Sequence, residues 1–146
     1  MTIEEKEADI TAEFENFDDW LEKYNYLIEM GKDLPMIDAK YKTKSNLITG
    51  CQSSVWLRGE YHNGKVIFTA DSDAVITKGI VNLLIRVLSG HTTDEIMNAK
   101  LGFVDKIGLK EHLSPTRSNG LVSMIKQMKL YALAFKTKYE NQEEEK

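Results

Sequence analysis

The chain has 146 residues, of which 42% are hydrophobic and 29% charged, the profile of one soluble globular domain. Its single cysteine, Cys51, excludes an internal disulfide, a C-x-x-C redox pair and a multi-cysteine zinc or iron–sulfur site. No apolar stretch approaches the roughly 18 residues of a membrane span, and the amino terminus lacks the basic-then-apolar layout of a signal peptide. We therefore expect a cytoplasmic protein that does not act at a membrane.

The net charge of −4 conceals an uneven distribution. Residues 1–33 carry eleven acidic and three basic side chains, whereas residues 34–142 carry nine acidic and fifteen basic ones. The lysines of this second part are spread along the sequence rather than clustered with aromatic residues, so we expect no nucleic-acid partner. The pattern indicates a mixed, solvated surface.

The first thirty residues predict two helices. Between residues 14 and 28, aromatic and aliphatic side chains recur every three to four positions and form one apolar stripe. The pair Asp18–Asp19 offers a cap for the second helix, and Gly31 is expected to end it in a left-handed conformation. Residues 32–46 form a lysine-rich connector without periodicity, which is long for a compact domain.

A β-hairpin follows the connector. Ser54–His62 and Lys65–Ala70 alternate between apolar and polar side chains, as strands with one buried face do. Between them lies Asn63–Gly64, a pair that tolerates the positive φ angles of a type I′ turn. Leu47–Ile48 is a candidate for a third, short strand.

The period then changes from two to that of a helix. Asp71–Asp73 offers N-caps, and Val75–Leu88 is apolar on nearly every side, which predicts a buried central helix. Gly90 is expected to end that helix, and Thr92–Thr93 can cap a short one. Residues 101–113 are interpreted as a loop or a single helical turn.

A long terminal helix completes the pattern. Ser114 followed by proline is typical of a helix start, although Gly120 indicates that the regular helix begins later, and the stripe from Leu121 to Phe135 is helical. The acidic tail 140–146 is expected to be disordered. The sequence therefore predicts a single α+β domain, with an ordered core of about residues 10–136, in which several helices pack on a small antiparallel sheet of about three strands.

Cys51 is the residue whose side chain is chemically the most reactive. It lies in the segment Thr49–Ser54, directly before a strand, and Gly50 permits a tight turn there. This places the thiol at the mouth of a loop rather than in the hydrophobic register of the strand. A lone cysteine is nevertheless more often a small buried hydrophobic residue than a nucleophile.

The other titratable residues leave alternatives open. A catalytic thiol usually borrows a base, but His62, His91 and His112 stand in no motif that indicates a Cys–His pair. A Cys–His hydrolase or transferase remains an alternative function. Asp71 and Asp73 are a second candidate pair of catalytic carboxylates, for which helix capping is the favoured interpretation. One cysteine and three scattered histidines offer no metal-ligand spacing, so we expect no metal site.

Three segments resemble the SufE family, the sulfur-acceptor proteins that work beside cysteine desulfurases in iron–sulfur cluster assembly. They are Gly50–Leu57, Asp71–Gly79 and Leu113–Leu121, and positions between Trp20 and Pro35 also fit. The resemblance extends from about residue 10 to 136, in order and with the family's spacing. It implies a SufE/NifU-like α+β fold.

The resemblance also implies a mechanism. Cys51 would accept sulfane sulfur from the persulfide on a PLP-dependent, SufS-like desulfurase, stimulate that enzyme, and carry the sulfur as its own persulfide to the Suf scaffold complex. A single cysteine suits this role, because a neighbouring thiol would attack the loaded persulfide and leave a disulfide. On this interpretation the chain is a carrier rather than a stand-alone enzyme, binds no cofactor of its own, and is a monomer or a homodimer.

The matching motifs nominate further site residues. Arg117 is the first candidate for the docking surface or for stabilising negative sulfur, with a structural role before the terminal helix as the alternative. Lys78 is the other basic residue of the motifs. Gly50, Gln52 and Ser53 would form and support the loop.

Two further hypotheses concern the loop and the overall role. Because a persulfide must be shielded from reductants, we hypothesise that the loop tucks Cys51 against apolar neighbours and swings it out on docking. A third functional interpretation is a non-catalytic adaptor whose basic body docks an acidic partner.

Overall fold

The computed structural model describes residues 1–51 and 53–140. Its helices are α1 (Ile3–Glu15), α2 (Trp20–Gly31), α3 (Val75–Leu88), α4 (Thr93–Asn98), α5 (Phe103–Lys106), α6 (Leu109–His112) and α7 (Pro115–Phe135). Its strands are β1 (Val55–His62), β2 (Lys65–Ser72) and β3 (His91–Thr92). Two short 3₁₀ helices, Ala39–Tyr41 and Lys44–Asn46, lie in the connector, and a π-helical turn, Lys136–Glu140, follows α7.

The sheet confirms the predicted hairpin and the α+β class. Strands β1 and β2 pair antiparallel, in a register that runs from Val55 opposite Ser72 to His62 opposite Lys65. The turn residues Asn63–Gly64 have φ angles of 51° and 82°, the positive values that a type I′ turn requires. Strand β3 pairs antiparallel with β2, which gives the order β1-β2-β3.

The third strand is not where the sequence predicted it. Leu47 makes only an isolated bridge with Trp56, although the Ile48 amide donates a 2.8 Å hydrogen bond to the carbonyl of Val55. The third strand instead follows α3, because Gly90, with a φ of 84°, turns the chain back onto β2. The Gly90 amide donates a 2.7 Å hydrogen bond to a β2 carbonyl, which fixes this return.

Helices α2 and α3 cross at very close range. A Cβ atom on Gly31 would lie 2.9 Å from the Gly79 amide nitrogen, and one on Gly79 would overlap the carbonyl oxygen of Leu27. Gly31 is the last residue of α2, and the helix continues into a right-handed cap at Lys32. The predicted left-handed cap at Gly31 is therefore wrong, and this glycine serves the helix crossing instead.

Helix α3 is the buried centre of the fold, as its composition predicted. Eleven of its fourteen residues are buried, and the helix packs against α1, α2, β2 and α7. The apolar core that surrounds it joins α1, α2, the hairpin and α7, with fully buried aromatic side chains at Phe14, Phe68 and Phe103.

The predicted caps of α3 are wrong. The cap position belongs to Ala74, which makes no side-chain hydrogen bond to the helix. Strand β2 continues through Ser72, so Asp71 is buried in the sheet rather than placed at a helix end. Asp73 uses its carboxylate to accept a 3.1 Å hydrogen bond from the Ser54 amide.

The remaining helix starts follow the sequence closely. Asp19 caps α2, and Thr92 caps α4 in a capping box with Glu95. Segment 101–113 forms two single-turn helices. Ser114 caps α7, which begins at Pro115, earlier than expected, and runs unbroken through its internal glycine.

Of the predicted disordered tail, Glu140 belongs to the π-helical turn, and residues 141–146 lie outside the described residues.

Candidate functional site

Cys51 lies in the loop before β1 and is half-buried against the first turns of α7. Its Sγ atom lies 3.8 Å from the carbonyl oxygen of Gly120, to which the thiol donates a weak hydrogen bond. The small cavity around it, hereafter the thiol cavity, is lined by Cys51, Ser53, Thr77, Ile80, Arg117, Gly120 and Met124. Ile80 and Met124 are the apolar side chains of this lining, and the predicted outward swing of the loop stays a prediction.

Two glycines make this close approach possible. Gly50 has a φ of 89°, and a Cβ atom there would lie 2.8 Å from the Ser123 hydroxyl, so both conformation and space favour glycine. A Cβ atom on Gly120 would lie 3.3 Å from Cys51 Sγ. Glycine inside a helix costs about 1 kcal/mol relative to alanine, and at this position it provides room for the thiol.

The surroundings of Cys51 favour its protonated form. Burial raises the pKa of the Cys51 thiol above its ordinary value. Arg117 lines the same cavity, yet its side chain forms no ion pair or hydrogen bond with any described residue. In this arrangement the thiol is shielded and not activated.

The carboxyl end of the loop is fastened to the hairpin through Ser54. The Ser72 hydroxyl donates a 2.8 Å hydrogen bond to the Ser54 carbonyl, which also accepts a bond of 3.3 Å from the Asp73 amide. The Ser54 amide donates to the Asp73 carboxylate at 3.1 Å. Cys51 thus lies three residues before a fixed anchor and one residue after the left-handed Gly50.

A buried carboxylate at the end of β2 forms ion pairs with two lysines. Asp71 is 6% exposed, and its oxygens lie 2.8 Å from Lys42 Nζ and 3.4 Å from Lys78 Nζ. Burial raises the pKa of Asp71, but the hydrogen bonds from Lys42 and the Ser72 amide and the charge of Lys78 outweigh it, so the pKa lies below its usual value. Asp71 therefore joins the connector, the hairpin and the start of α3.

The structure brings most of the predicted site residues together. Gly50 adjoins Cys51, and Ser53 and Arg117 line the thiol cavity with it, whereas Gln52 lies outside the described residues. Lys78 is engaged with Asp71 rather than with the thiol.

Four residues of the cavity were missed by sequence reasoning, namely Thr77, Ile80, Gly120 and Met124. A glycine inside a strongly helical stripe was the available signal for Gly120.

The three histidines lie elsewhere. His62 is exposed at the hairpin end, 2.9 Å from Glu60, and His91 is buried beside α4. His112 stacks on Trp20 with ring centres 4.0 Å apart. None of the three lines the thiol cavity. Across residues 1–51 and 53–140, no three histidine, cysteine or acidic side chains converge in a way that suits a metal ion.

Comparison with known proteins identifies the family. Residues 8–132 match the family model described as "SufE: Fe-S metabolism associated domain". The chain belongs to the SufE family. It is 38% identical over 136 residues to "SufE-like protein 1, chloroplastic/mitochondrial" of Arabidopsis thaliana, covering 92% of this chain and 37% of that protein. It is 39% identical over 125 residues to an uncharacterized SufE-like protein of Rhizobium meliloti, covering 82% and 89% of the two chains.

A solved structure shares the fold. The solution structure of a hypothetical protein from Thermus thermophilus superposes with a TM-score of 0.75 at 20% identity and covers 90% of this chain and 96% of that one. Within the described residues, no helix has the length and apolar character needed to cross a bilayer. The description of the matching family model associates this domain with iron–sulfur metabolism.

Proposed function

We propose that this protein is a sulfur carrier that accepts sulfane sulfur on Cys51 from a PLP-dependent cysteine desulfurase and delivers it to a scaffold for iron–sulfur clusters. The observation that carries the proposal is a lone thiol, half-buried on a loop between a left-handed glycine and a hydrogen-bonded anchor. By accepting the sulfur, the carrier frees the desulfurase for another turnover and so stimulates it. We place this activity in the cytoplasm.

The transfer is a thiol exchange. The Cys51 thiolate attacks the outer sulfur of the donor's persulfide, a new S–S bond forms, and the donor's cysteine leaves as a thiolate. The proton released from Cys51 ends on that leaving thiolate or in solvent, so no external oxidant or reductant is needed. Delivery repeats the same exchange with an acceptor thiol. With Cys51 the only cysteine in the chain, no second thiol is present to discharge the persulfide as sulfide.

Burial of the resting thiol supports a role for loop movement. The raised pKa of Cys51 lowers the thiolate fraction at neutral pH, so attack requires the thiol to leave its apolar surroundings. The loop is fastened at Ser54 and has glycine at its other end, so a change at Gly50 can swing Cys51 outward without unfolding the hairpin. Docking of the desulfurase would supply the free energy for this change.

Arg117 is proposed to act once Cys51 has moved. Its guanidinium lies at the thiol cavity without an anionic partner among the described residues. A partner carboxylate or the negative sulfur of a thiolate or persulfide would satisfy it. Ser53 also lines the cavity, and Gln52 is proposed as a loop residue on the strength of the motif alone.

The Cys–His alternative has less support. A general base must reach the thiol at about 3 Å or through one water molecule, and the described cavity contains no histidine. His91 and His112 are instead held by Glu95 and by Trp20.

Intact mass spectrometry without reductant tests the proposal. After incubation with a desulfurase and cysteine, the chain should gain about 32 Da per sulfur at Cys51. Cys51→Ser should show no gain and should not stimulate desulfurase turnover. The variant His112→Ala, which leaves the thiol cavity untouched, is the matched control and should load like the native chain.

An unchanged mass together with unchanged desulfurase turnover would refute the carrier and leave the adaptor hypothesis. Loss of a hydrolytic activity on substitution of a histidine would instead favour the Cys–His enzyme.

A further inference from the structure

The connector between α2 and β1 presents a group of exposed cations. Lys40, Lys42 and Lys44 are all exposed, and the connector contacts β1 through the 3₁₀ helix Lys44–Asn46 and through the Tyr41 ring. With Arg58, which points outward from β1, these lysines are named the connector patch. The side chains of Lys40 and Lys44 form no ion pair with any described residue.

Aromatic rings position the cations of the connector patch. The Arg58 guanidinium lies 3.8 Å from the ring centre of Tyr41, and Lys42 Nζ lies 4.7 Å from that of Trp56. Lys40 Nζ lies 5.1 Å from the same tyrosine ring. Because both rings already carry cations on a face, the surface presents positive charge rather than a stacking platform for nucleobases.

The connector patch adjoins the anchored end of the Cys51 loop. Lys42 and Lys78 share the buried Asp71 carboxylate at 2.8 and 3.4 Å. Asp71 lies opposite Trp56 in the hairpin, and Trp56 is two residues after the Ser54 anchor. The patch therefore reaches the strand end that directly follows the Cys51 loop.

Carboxylates already pair with two of the four cations. Asp71 binds Lys42 and Glu60 binds Arg58, whereas the exposed Asp38 accepts a hydrogen bond from the Lys40 amide and forms no ion pair with a described lysine. Among the described residues, Lys40 and Lys44 are therefore the cations of the patch that lack a carboxylate partner. Residues 1–33, which include α1 and α2, carry eleven of the 23 acidic residues, whereas the connector patch lies on the connector and on β1. Separated charges of this kind orient an approaching partner before contact.

We propose that the connector patch is the docking surface for an acidic face of the sulfur-donating desulfurase, beside the entrance to its active site. This inference rests on the proposed function and specifies its partner's surface. The cations would bring the acidic face onto β1 and the connector, and the thiol cavity would then face the donor's persulfide. The chemistry at Cys51 itself would not depend on the lysines.

Charge reversal tests the docking surface. The double variant Lys40→Glu/Lys44→Glu removes two exposed cations without uncovering a buried charge. The assay uses the desulfurase that loads Cys51 in the mass experiment. The KM of that desulfurase for the double variant, measured by stimulated turnover, should be about tenfold or more above its KM for the native chain at low salt. Turnover at saturating carrier should stay within about twofold of the native value, because the thiol and its cavity are unchanged.

Lys106→Glu/Lys126→Glu is the matched control, since both lysines are exposed, lie on α5 and α7, and give the same change in net charge. Its KM should remain within about twofold of the native value. Raising the ionic strength from about 0.05 to 0.3 M should raise the native KM but not that of the connector variant. Thermal unfolding of each variant establishes that it is folded.

Equal KM values for the connector variant and the native chain, or an equal rise in the control, would overturn the docking surface. Binding of a single-stranded oligouridine that the connector variant loses, with its desulfurase KM unchanged, would overturn it in favour of nucleic acid. These results are distinct from failure of the proposed function, in which the native chain gains no sulfur on Cys51 at all.

Discussion

The α2–α3 crossing and the thiol cavity both depend on a glycine inside a helix, but the two glycines face different neighbours. Gly79 faces the backbone of α2, where a methyl group would overlap the Leu27 carbonyl oxygen. Gly120 faces a side chain and a loop, where a methyl group would lie 3.3 Å from Cys51 Sγ. The first contact cannot yield without separating two helices, whereas the second can yield by moving the loop. The same residue type thus stabilises the fold in one place and adjusts the reactive group in the other.

Gly79→Ala should have the largest effect on stability. The added methyl group forces α2 away from α3 in the centre of the core, and overpacking of this severity costs about 3 kcal/mol. Chemical denaturation should measure that loss in the free energy of unfolding. If the variant has the same denaturant midpoint of unfolding as the native chain, the helix crossing has room for a methyl group. The contrast between Gly79 and Gly120 would then disappear.

Asp71→Asn should have the next largest effect on stability, because it leaves two lysines without their buried partner. We expect a loss of about 2 kcal/mol at pH 7, measured by urea unfolding. The folded-state pKa of Asp71 is lowered, so its contribution is present above the ordinary pKa of about 4 and is lost as pH falls through the lowered value.

The difference between Asp71→Asn and the native chain should therefore shrink steadily below about pH 4. A difference that is constant from neutral to acidic pH would show that the carboxylate's charge contributes nothing. Asp105→Asn, which replaces an exposed carboxylate of α5, is the control. It should leave the free energy of unfolding unchanged at both neutral and acidic pH.

Gly120→Ala should change stability by less than about 1 kcal/mol, because its better helix propensity offsets the tight contact. The loop should move and expose Cys51, so we expect alkylation by iodoacetamide to accelerate about threefold or more. Gly102→Ala is the matched control, since no atom lies within 4 Å of a Cβ atom built there. Equal alkylation rates in the two variants would mean that Gly120 does not determine the exposure of the thiol.

The smallest expected effect is a shift in the pH profile of Cys51 alkylation. Burial raises the pKa of the folded thiol, so the rate should reach half its plateau at a higher pH than in the urea-unfolded chain. In Gly120→Ala the profile should move back toward that of the unfolded chain. Coincident profiles for folded and unfolded protein would contradict the shielding of the thiol.

Local sequence signals predicted the elements, and tertiary contacts decided where they failed. Asn63–Gly64 specified the hairpin, and Thr92 specified the start of α4, because each acts through atoms a few residues away. Asp71 was wrongly predicted as a cap because its partner Lys42 is 29 residues away in the sequence. The left-handed end expected at Gly31 failed for the same reason, since Gly79 of another helix determines its role.

The candidate site was predictable in part. Cys51 and its flanking loop were identifiable from one thiol and a motif, and Arg117 was identifiable from the motif alone. Thr77 and Met124 enter the cavity only because α3 and α7 meet there, which no local pattern indicates. Shielding of the thiol also depends on this meeting of helices and could only be hypothesised.

The most direct test of the carrier account is the mass of the Cys51 peptide through one complete cycle. Loading by a desulfurase and cysteine should add about 32 Da per sulfur, and the isolated loaded chain should lose it on mixing with a scaffold complex in the absence of desulfurase and cysteine. The scaffold should gain the same sulfur. A loaded chain that keeps its sulfur in the presence of the scaffold, or a native chain that never gains it, would contradict the account.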